Sequence, residues 1–152
     1  PAITPICIPP PPDTAHSQHA APRAVDLFLE AGVPADKLVL EVPFCGRAWR
    51  GVEAENNCLY QSYESPHASF SYDTLATHII DQQGFARHWD EAAKAPYLWN
   101  ADSFIVVSYE DPASLRAKAR FVKDRGLAGV MYWEHSEDNG ALLRALYNEL
   151  RR

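Results

Sequence analysis

The sequence has few cysteines, no long apolar run and no block of basic residues. Its 152 residues include only Cys7, Cys45 and Cys58, without a C-x-x-C pair, so at most one internal disulfide and no structural zinc site are expected. No apolar stretch approaches the roughly 20 residues of a membrane-spanning helix. The formal net charge of -6 and the lack of a Lys/Arg-rich segment argue against nucleic acid or an anionic membrane as the main partner.

Several catalytic and cofactor motifs are also absent. The sequence contains no H-E-x-x-H zinc motif and no G-x-S-x-G nucleophile turn, and its glycines do not form a phosphate-binding loop. Glu134 and His135 are adjacent in a strand-like segment, where neighbouring side chains point to opposite faces and cannot share a metal. We therefore expect no metal and no cofactor, and the remaining chemistry lies with carboxylates and aromatic rings.

The order of predicted elements is that of an α/β protein. At 152 residues the chain is one domain by size, and it is short for a complete (β/α)8 barrel, which needs about 250. The predicted elements are a Pro-rich arm over 1–22, helices over 22–32, 72–83, 112–125 and 141–150, and strands over 37–44, 103–109 and 127–133. The helix, strand and helix that follow residue 112 give the clearest α/β pattern.

The most informative segment is the run from Gly126 to Asp138. Four apolar residues give way at once to Tyr132, Trp133 and several carboxylates. An apolar run of this kind is typical of a strand buried on both faces, and α/β proteins bind ligands at the carboxyl ends of such strands. A Trp beside carboxylates suits a sugar, because the ring accepts C–H groups and the carboxylates accept hydroxyls. The alternative is a strand end whose Trp fills the core.

Carboxylates that follow predicted strands are the candidates for acid–base chemistry. Glu110 and Asp111 follow one strand, and Glu134, Glu137 and Asp138 follow another. Glycoside hydrolysis needs such an acid, and Glu134 and Glu110 are the candidates. Solvated loop residues or helix caps are the alternative roles. Glu41 lies inside a predicted strand, so it needs a partner if it is buried; otherwise its face of the strand meets solvent.

Four segments, taken in order, resemble the C-terminal part of a glycoside hydrolase family 18 chitinase. Residues 37–49, K-L-V-L-E-V-P-F-C-G-R-A-W, are similar to the seventh barrel strand of that family. Short motifs between residues 84 and 98 resemble its insertion domain, and residues 108–112, S-Y-E-D-P, resemble the segment that closes the insertion. Residues 126–133, G-L-A-G-V-M-Y-W, resemble the eighth strand with its Trp.

The resemblance implies an α/β fold, namely a partial (β/α)8 TIM-barrel fragment with a small α+β insertion. Residues 23–49 and 104–152 would supply barrel-derived units, and residues 50–103 would form the insertion. The two barrel strands would be neighbours with open edges, which favours a homo-oligomer or a rearranged sheet that uses segment 103–109. A secreted location is implied by the family, although the chain opens on Pro1 without a signal-peptide pattern.

The resemblance also implies a ligand and a set of contacts. The ligand would be chitin or an N-acetylglucosamine oligosaccharide, with Trp133 as the hydrophobic floor under the sugar. Arg47 and the residue at position 45 would line the cleft, and aromatic rings of the insertion would wall it. The predicted substrate-binding residues are Trp133, Tyr132, Arg47, Trp49, Tyr97, Trp99 and Tyr109.

The sequence departs from the family pattern in four places, one of which is the absence of the family's sixth-strand motif M-x-Y-[DN]. The catalytic motif D-x-x-D-x-D-x-E does not occur in these 152 residues, Cys45 stands where the family has a Tyr, and Glu41 stands where it has a Gly. Three hypotheses follow. The chain binds chito-oligosaccharide without hydrolysing it, or it is a hydrolase that uses Glu134 or Glu110 as acid, or it is a structural fragment without a ligand.

Overall fold

The computed structural model describes residues 21–59 and 61–152, which form an α/β structure with two separate sheets. The helices are α1 Ala21–Glu30, α2 Tyr72–Thr74, α3 Pro112–Asp124 and α4 Ala141–Leu150. The strands are β1 Val39–Pro43, β2 Cys45–Arg50, β3 Ser65–Ser71, β4 Ala86–Asp90, β5 Ala95–Asn100, β6 Ile105–Ser108 and β7 Gly129–Trp133. No helix in the described part of the chain has the length and apolarity to cross a membrane. The predicted Pro-rich arm lies outside the described residues, except for its last two, which open α1.

A two-stranded parallel sheet joins β1 to β7, which confirms that these two predicted strands are neighbours. Leu40 pairs with Val130 and Val42 with Tyr132. These four side chains point to the side of the sheet that belongs to the main hydrophobic core. Burial of one face of the sheet against the core explains why both strands are rich in β-branched and other apolar residues.

The opposite face of the parallel sheet is open. Val39 is 49% exposed and Met131 is 36% exposed. Glu41 is on the same face because strand side chains alternate, two residues from Val39 and directly opposite Met131. Parallel sheets are ordinarily covered on both faces. The sequence left open whether Glu41 had a buried partner or faced solvent, and it lies half-exposed on this open face.

The second sheet is antiparallel and has five strands in the order β3-β2-β6-β5-β4. Its central strand, β6, pairs with β2 and β5 and not with the parallel sheet, so the prediction that segment 103–109 would complete that sheet is wrong. Within the described residues, the outer edges of β1 and β7 are unpaired. This sheet is larger than the predicted insertion of residues 50–103. It also contains β2, which begins before residue 50, and β6, which begins after residue 103.

Phe44 connects the two sheets. Its backbone N–H donates to the carbonyl oxygen of Trp133 at 2.6 Å, and its own carbonyl accepts from the N–H of Tyr72 at 2.9 Å. The chain therefore leaves β1 beside the end of β7 and enters β2 one residue later. This crossing places the start of the antiparallel sheet against the carboxyl end of the parallel one.

The helix predicted over residues 72–83 is much shorter than expected. It consists of α2, capped by the Ser71 side chain, and one wide π-type turn over 75–79. Ile80 is already extended, and Asp81 and Gln83 adopt positive φ angles of 55° and 51°. The apolar residues that hold the helix to the core end at Ile80, so the chain turns towards β4 instead.

We predict that the 152-residue chain, prepared by itself, self-associates through the open face and edges of the parallel sheet. Unpaired strand edges template pairing with another chain. Light scattering should give a mass above the 17.0 kDa of one chain, and Met131→Lys should reduce it. Leu27→Lys, at an exposed apolar position of α1, is the control. A strictly monomeric wild-type chain would contradict this prediction.

Candidate functional site

Trp133 is the most exposed large apolar residue at the carboxyl end of the parallel sheet. It ends β7, its side chain is 62% exposed, and the peptide bond that joins it to Glu134 is cis. Its backbone carbonyl is held by the hydrogen bond from Phe44. The indole is therefore presented to solvent from a fixed backbone, in the position where α/β proteins bind ligands.

Tyr132 points away from Trp133, which corrects its prediction as a contact in the same cleft. Neighbouring residues of a strand project to opposite faces. The Tyr132 ring stacks on the Phe44 ring, with centroids 4.7 Å apart and planes 10° apart. Tyr132 packs against the core and so supports the end of β7 from behind.

Cys45, Arg47 and Glu137 lie together beside this end of the sheet. The Cys45 thiol is half-buried and hydrogen-bonds to Glu137. Burial raises the pKa of the Cys45 thiol, the Glu137 carboxylate raises it further, and Arg47 partly opposes both. Arg47 is exposed on β2. The cluster thus offers a guanidinium, a carboxylate and a protonated thiol.

Asp138 fixes the segment that carries Glu137. Its two carboxylate oxygens accept the backbone N–H groups of Leu142 and Leu143 at 3.1 and 3.0 Å, at the start of α4. Carboxylates in this position satisfy N–H groups that a helix leaves free. Glu137 lies in a short 3-10 turn between Trp133 and this anchor. Glu137 is one of the carboxylates predicted to follow this strand, and its contact with the Cys45 thiol was not predicted.

Trp49 was predicted as a cleft residue, and its ring in β2 is partly accessible. It is half-buried, and its ring lies 6.1 Å from that of Tyr63, which is exposed. Tyr63 belongs to the irregular segment after β2, where no periodic pattern marks individual residues, so the sequence did not point to it. The two rings form a second aromatic surface on the antiparallel sheet.

Tyr97 and Trp99 are buried in β5, which corrects their prediction as cleft walls. They pack in a separate hydrophobic cluster with Val52, Cys58 and Val106. Burial raises the pKa of the Cys58 thiol to about 12. Because β5 lies between β6 and β4, and the 51–59 loop supplies Val52 and Cys58 to this cluster, these aromatic rings are core residues.

Tyr109 and Glu110 are also buried, and neither is open to a ligand. Burial raises the pKa of the Tyr109 hydroxyl, and Asp111 adds to the effect. Glu110 forms an ion pair with Lys118 of α3, so its prediction as a candidate acid is wrong. Glu134 is exposed and accepts a hydrogen bond from the Ser136 hydroxyl at 2.6 Å. Of the two named candidates, Glu110 and Glu134, Glu134 is the one that a ligand can reach.

We predict that Glu110 is a structural residue. Glu110→Ala would leave Lys118 poorly solvated without its partner, and breaking such a buried pair costs about 3–5 kcal/mol of unfolding free energy. Urea denaturation measures this loss. Glu91→Ala is the matched control, because Glu91 pairs with Lys94 on the surface, where no measurable change is expected. Equal stability of the two variants would contradict the structural role.

Within the described residues, no three His, Cys, Asp or Glu side chains are grouped so that they could hold a metal ion. The groups at this end of the parallel sheet are the Trp133 ring, the carboxylates of Glu134 and Glu137, the Cys45 thiol and the Arg47 guanidinium. This set can stack on and hydrogen-bond to a polar ring.

Comparison with known proteins gives one consistent relationship. The family model for glycosyl hydrolases family 18 matches residues 5–138. Chitinase A1 of Niallia circulans is 39% identical over 130 residues, which are 81% of this chain and 18% of that protein. Chitinase ChiA74 from Bacillus thuringiensis has a TM-score of 0.84 at 30% identity, over 95% of this chain and 28% of that one.

A third relative extends the comparison. A family 18 N-acetylglucosaminidase from Paenibacillus barengoltzii has a TM-score of 0.78 at 44% identity, over 84% of this chain and 38% of that one. The chain thus spans well under half the length of each of these relatives. The order of motifs in the sequence, the α/β structure and the family match agree, and the chain belongs to glycosyl hydrolases family 18.

Proposed function

We propose that this chain forms part of a carbohydrate site that binds N-acetylglucosamine oligomers, with Trp133 as the floor under one sugar. The observation that carries the proposal is the 62% exposure of Trp133 at the carboxyl end of β7 in a family 18 chain. The relatives described above are named as a chitinase or an N-acetylglucosaminidase. Their names supply the substrate class.

The proposal has a physical basis in the Trp133 side chain. A large exposed indole offers an apolar face on which the C–H face of a sugar stacks, and such contacts are specific in geometry. The Phe44 hydrogen bond fixes the backbone that carries it, so little conformational freedom is lost on binding. Arg47 and Glu137 would supply hydrogen bonds to the hydroxyl or acetamido groups at the rim.

We further propose that β1 and β7 are adjacent strands of a (β/α)8 barrel. Their parallel pairing supports this, and so does the open face that carries Val39 and Met131. In a barrel this face would point to the interior, and Trp133 would stand at the carboxyl-terminal mouth, where barrel enzymes bind their substrates.

The proposal is confined to binding. The family's D-x-x-D-x-D-x-E motif does not occur in the 152 residues, and Glu110 is buried against Lys118. A hydrolase that uses Glu134 is the second candidate, because this carboxylate is exposed directly beside Trp133. A chromogenic chitobioside assay distinguishes the two. We expect no turnover by this chain. Turnover that is lost in Glu134→Gln and kept in Glu110→Gln would favour the second candidate.

The experiment that tests binding is a titration of the chain with N-acetylglucosamine tetramer. We expect a saturable change in tryptophan fluorescence and a matching calorimetric isotherm. If neither signal saturates, the binding proposal fails and the chain is a structural part without a ligand of its own.

A further inference from the structure

Positive charge is concentrated on the two C-terminal helices. Residues 112–125 and 141–152, which contain α3 and α4, hold eight of the 14 Lys and Arg residues and only two of the 20 Asp and Glu residues. Two of these cations, Lys118 and Arg125, form ion pairs with acids of other elements. The six that remain are all exposed, namely Arg116, Arg120, Lys123, Arg144, Arg151 and Arg152. An acidic chain therefore has one strongly basic surface.

Three of these cations meet at the seam between α3 and α4, which pack side by side. Arg120 donates to the Glu149 carboxylate at 3.0 and 3.4 Å, and Lys123 donates to the Glu149 backbone carbonyl at 3.2 Å. Arg152 lies 4.0 Å from the same carboxylate. Arg116 is one turn before Arg120 and shares its side of α3. Since Glu149 is buried and supplies only one negative charge, the seam keeps an excess of positive charge.

Arg116 and Arg144 are exposed guanidinium groups without an anion. Neither forms an ion pair in the described part of the chain. Arg144 and Arg151 lie two turns apart on the exposed side of α4. A guanidinium presents parallel N–H donors that match the paired oxygens of a carboxylate or a sulfate. The surface thus holds free donors for anions of this shape.

We infer that the seam between α3 and α4 binds an acidic polysaccharide, one whose repeating unit carries a carboxylate or a sulfate. The inference goes beyond the proposed function, because it concerns a charged glycan and none of the residues of the Trp133 site. The cations follow the seam along both helices. This arrangement suits one extended chain better than a flat bilayer, and the opposite charges supply the attraction.

The distribution of charge also favours a polysaccharide over a nucleic acid. A DNA duplex carries one negative charge per about 1.7 Å of its axis, and the 18 Asp and Glu residues outside the two helical segments would repel it. Single-stranded nucleic acids use aromatic rings on which their bases stack. The exposed ring of α4, Tyr147, is already covered by the Arg151 guanidinium, 5.1 Å from its centroid. A polysaccharide with one charge on each repeat avoids both difficulties.

The test is a calorimetric titration of the full chain with a galacturonic acid hexamer. We expect saturable binding at low salt that weakens at high salt, because exposed ion pairs are screened. The double variant Arg116→Gln, Arg144→Gln should bind about tenfold more weakly, since two exposed ion pairs with the ligand are lost. The control is Arg23→Gln, Lys37→Gln, which removes the same charge at exposed positions elsewhere and should bind like the wild-type chain.

The outcomes distinguish the seam from other sites and other ligands. A loss confined to the Arg116, Arg144 variant, with binding kept in Trp133→Ala, supports the inference. Absence of saturable binding overturns it, and so do equal losses in the two double variants or a loss in Trp133→Ala. Tighter binding to phosphatidylserine vesicles or to a thymidine oligonucleotide than to the hexamer also overturns it. The proposed function is tested with the neutral tetramer, so the two can fail independently.

Discussion

Trp133→Ala is expected to weaken the binding of N-acetylglucosamine tetramer by about tenfold or more. Aromatic contacts of this kind are worth about 0.5–1.5 kcal/mol beyond the apolar area they bury, and about 1.4 kcal/mol is a factor of ten in affinity. The melting temperature should hardly change, because Trp133 is 62% exposed and packs little against the core. Isothermal titration calorimetry and thermal denaturation measure the two effects on the same samples.

The matched control for Trp133→Ala is Tyr147→Ala. Tyr147 is also a large exposed aromatic residue, but it lies on the solvent side of α4. We expect it to leave the affinity unchanged. If the two variants bind the tetramer equally well, Trp133 is not the floor of the sugar site, whatever the affinity of the wild-type chain.

Phe44→Ala is expected to cost about 3–5 kcal/mol of unfolding free energy, as deletion of a buried aromatic ring typically does. Phe44 is fully buried, it stacks on Tyr132, and its backbone bonds to both Trp133 and Tyr72. Loss of its ring would leave a cavity where the two sheets meet. Since domains of this size have only about 5–15 kcal/mol of stability, urea denaturation should show a large shift of the midpoint.

Phe104→Ala is the control for this position, because Phe104 is 49% exposed. We expect a change of less than about 1 kcal/mol from it, as for most surface substitutions. If Phe44→Ala does not fold, Phe44→Leu takes its place in the test, because it keeps most of the buried volume and should fold. Its loss of unfolding free energy should lie between those expected for Phe44→Ala and Phe104→Ala. Similar unfolding free energies for Phe44→Ala and Phe104→Ala would contradict the role of Phe44 as the packed junction.

Elements with strong local signals were predictable from the sequence. Asp111 and Pro112 predicted the start of α3, and Asp111 accepts the backbone N–H groups of Ala113 and Ser114 there. The apolar run before Trp133 likewise predicted β7. In these segments the periodicity, the cap and the stop signal agree with one another, so the local sequence settles the structure.

Burial of the insertion aromatics was not predictable in the same way. Tyr97 and Trp99 fit a cleft wall and a core strand equally well, because both environments favour aromatic residues in a strand. Their burial depends on the 51–59 loop, which lies some 40 positions earlier and has no periodic pattern. Glu110 was misread for a related reason, because its partner Lys118 belongs to the next helix. Long-range contacts of this kind leave no mark in the local sequence.

The most direct test of the sugar site is an NMR titration that follows the four indole N–H signals. Trp89 and Trp49 are half-buried and Trp99 is buried, whereas Trp133 is open at the end of β7. Addition of N-acetylglucosamine tetramer should shift the Trp133 signal most strongly and leave Trp99 unchanged. A saturable titration in which Trp133 does not move, or in which no indole moves, would contradict the account.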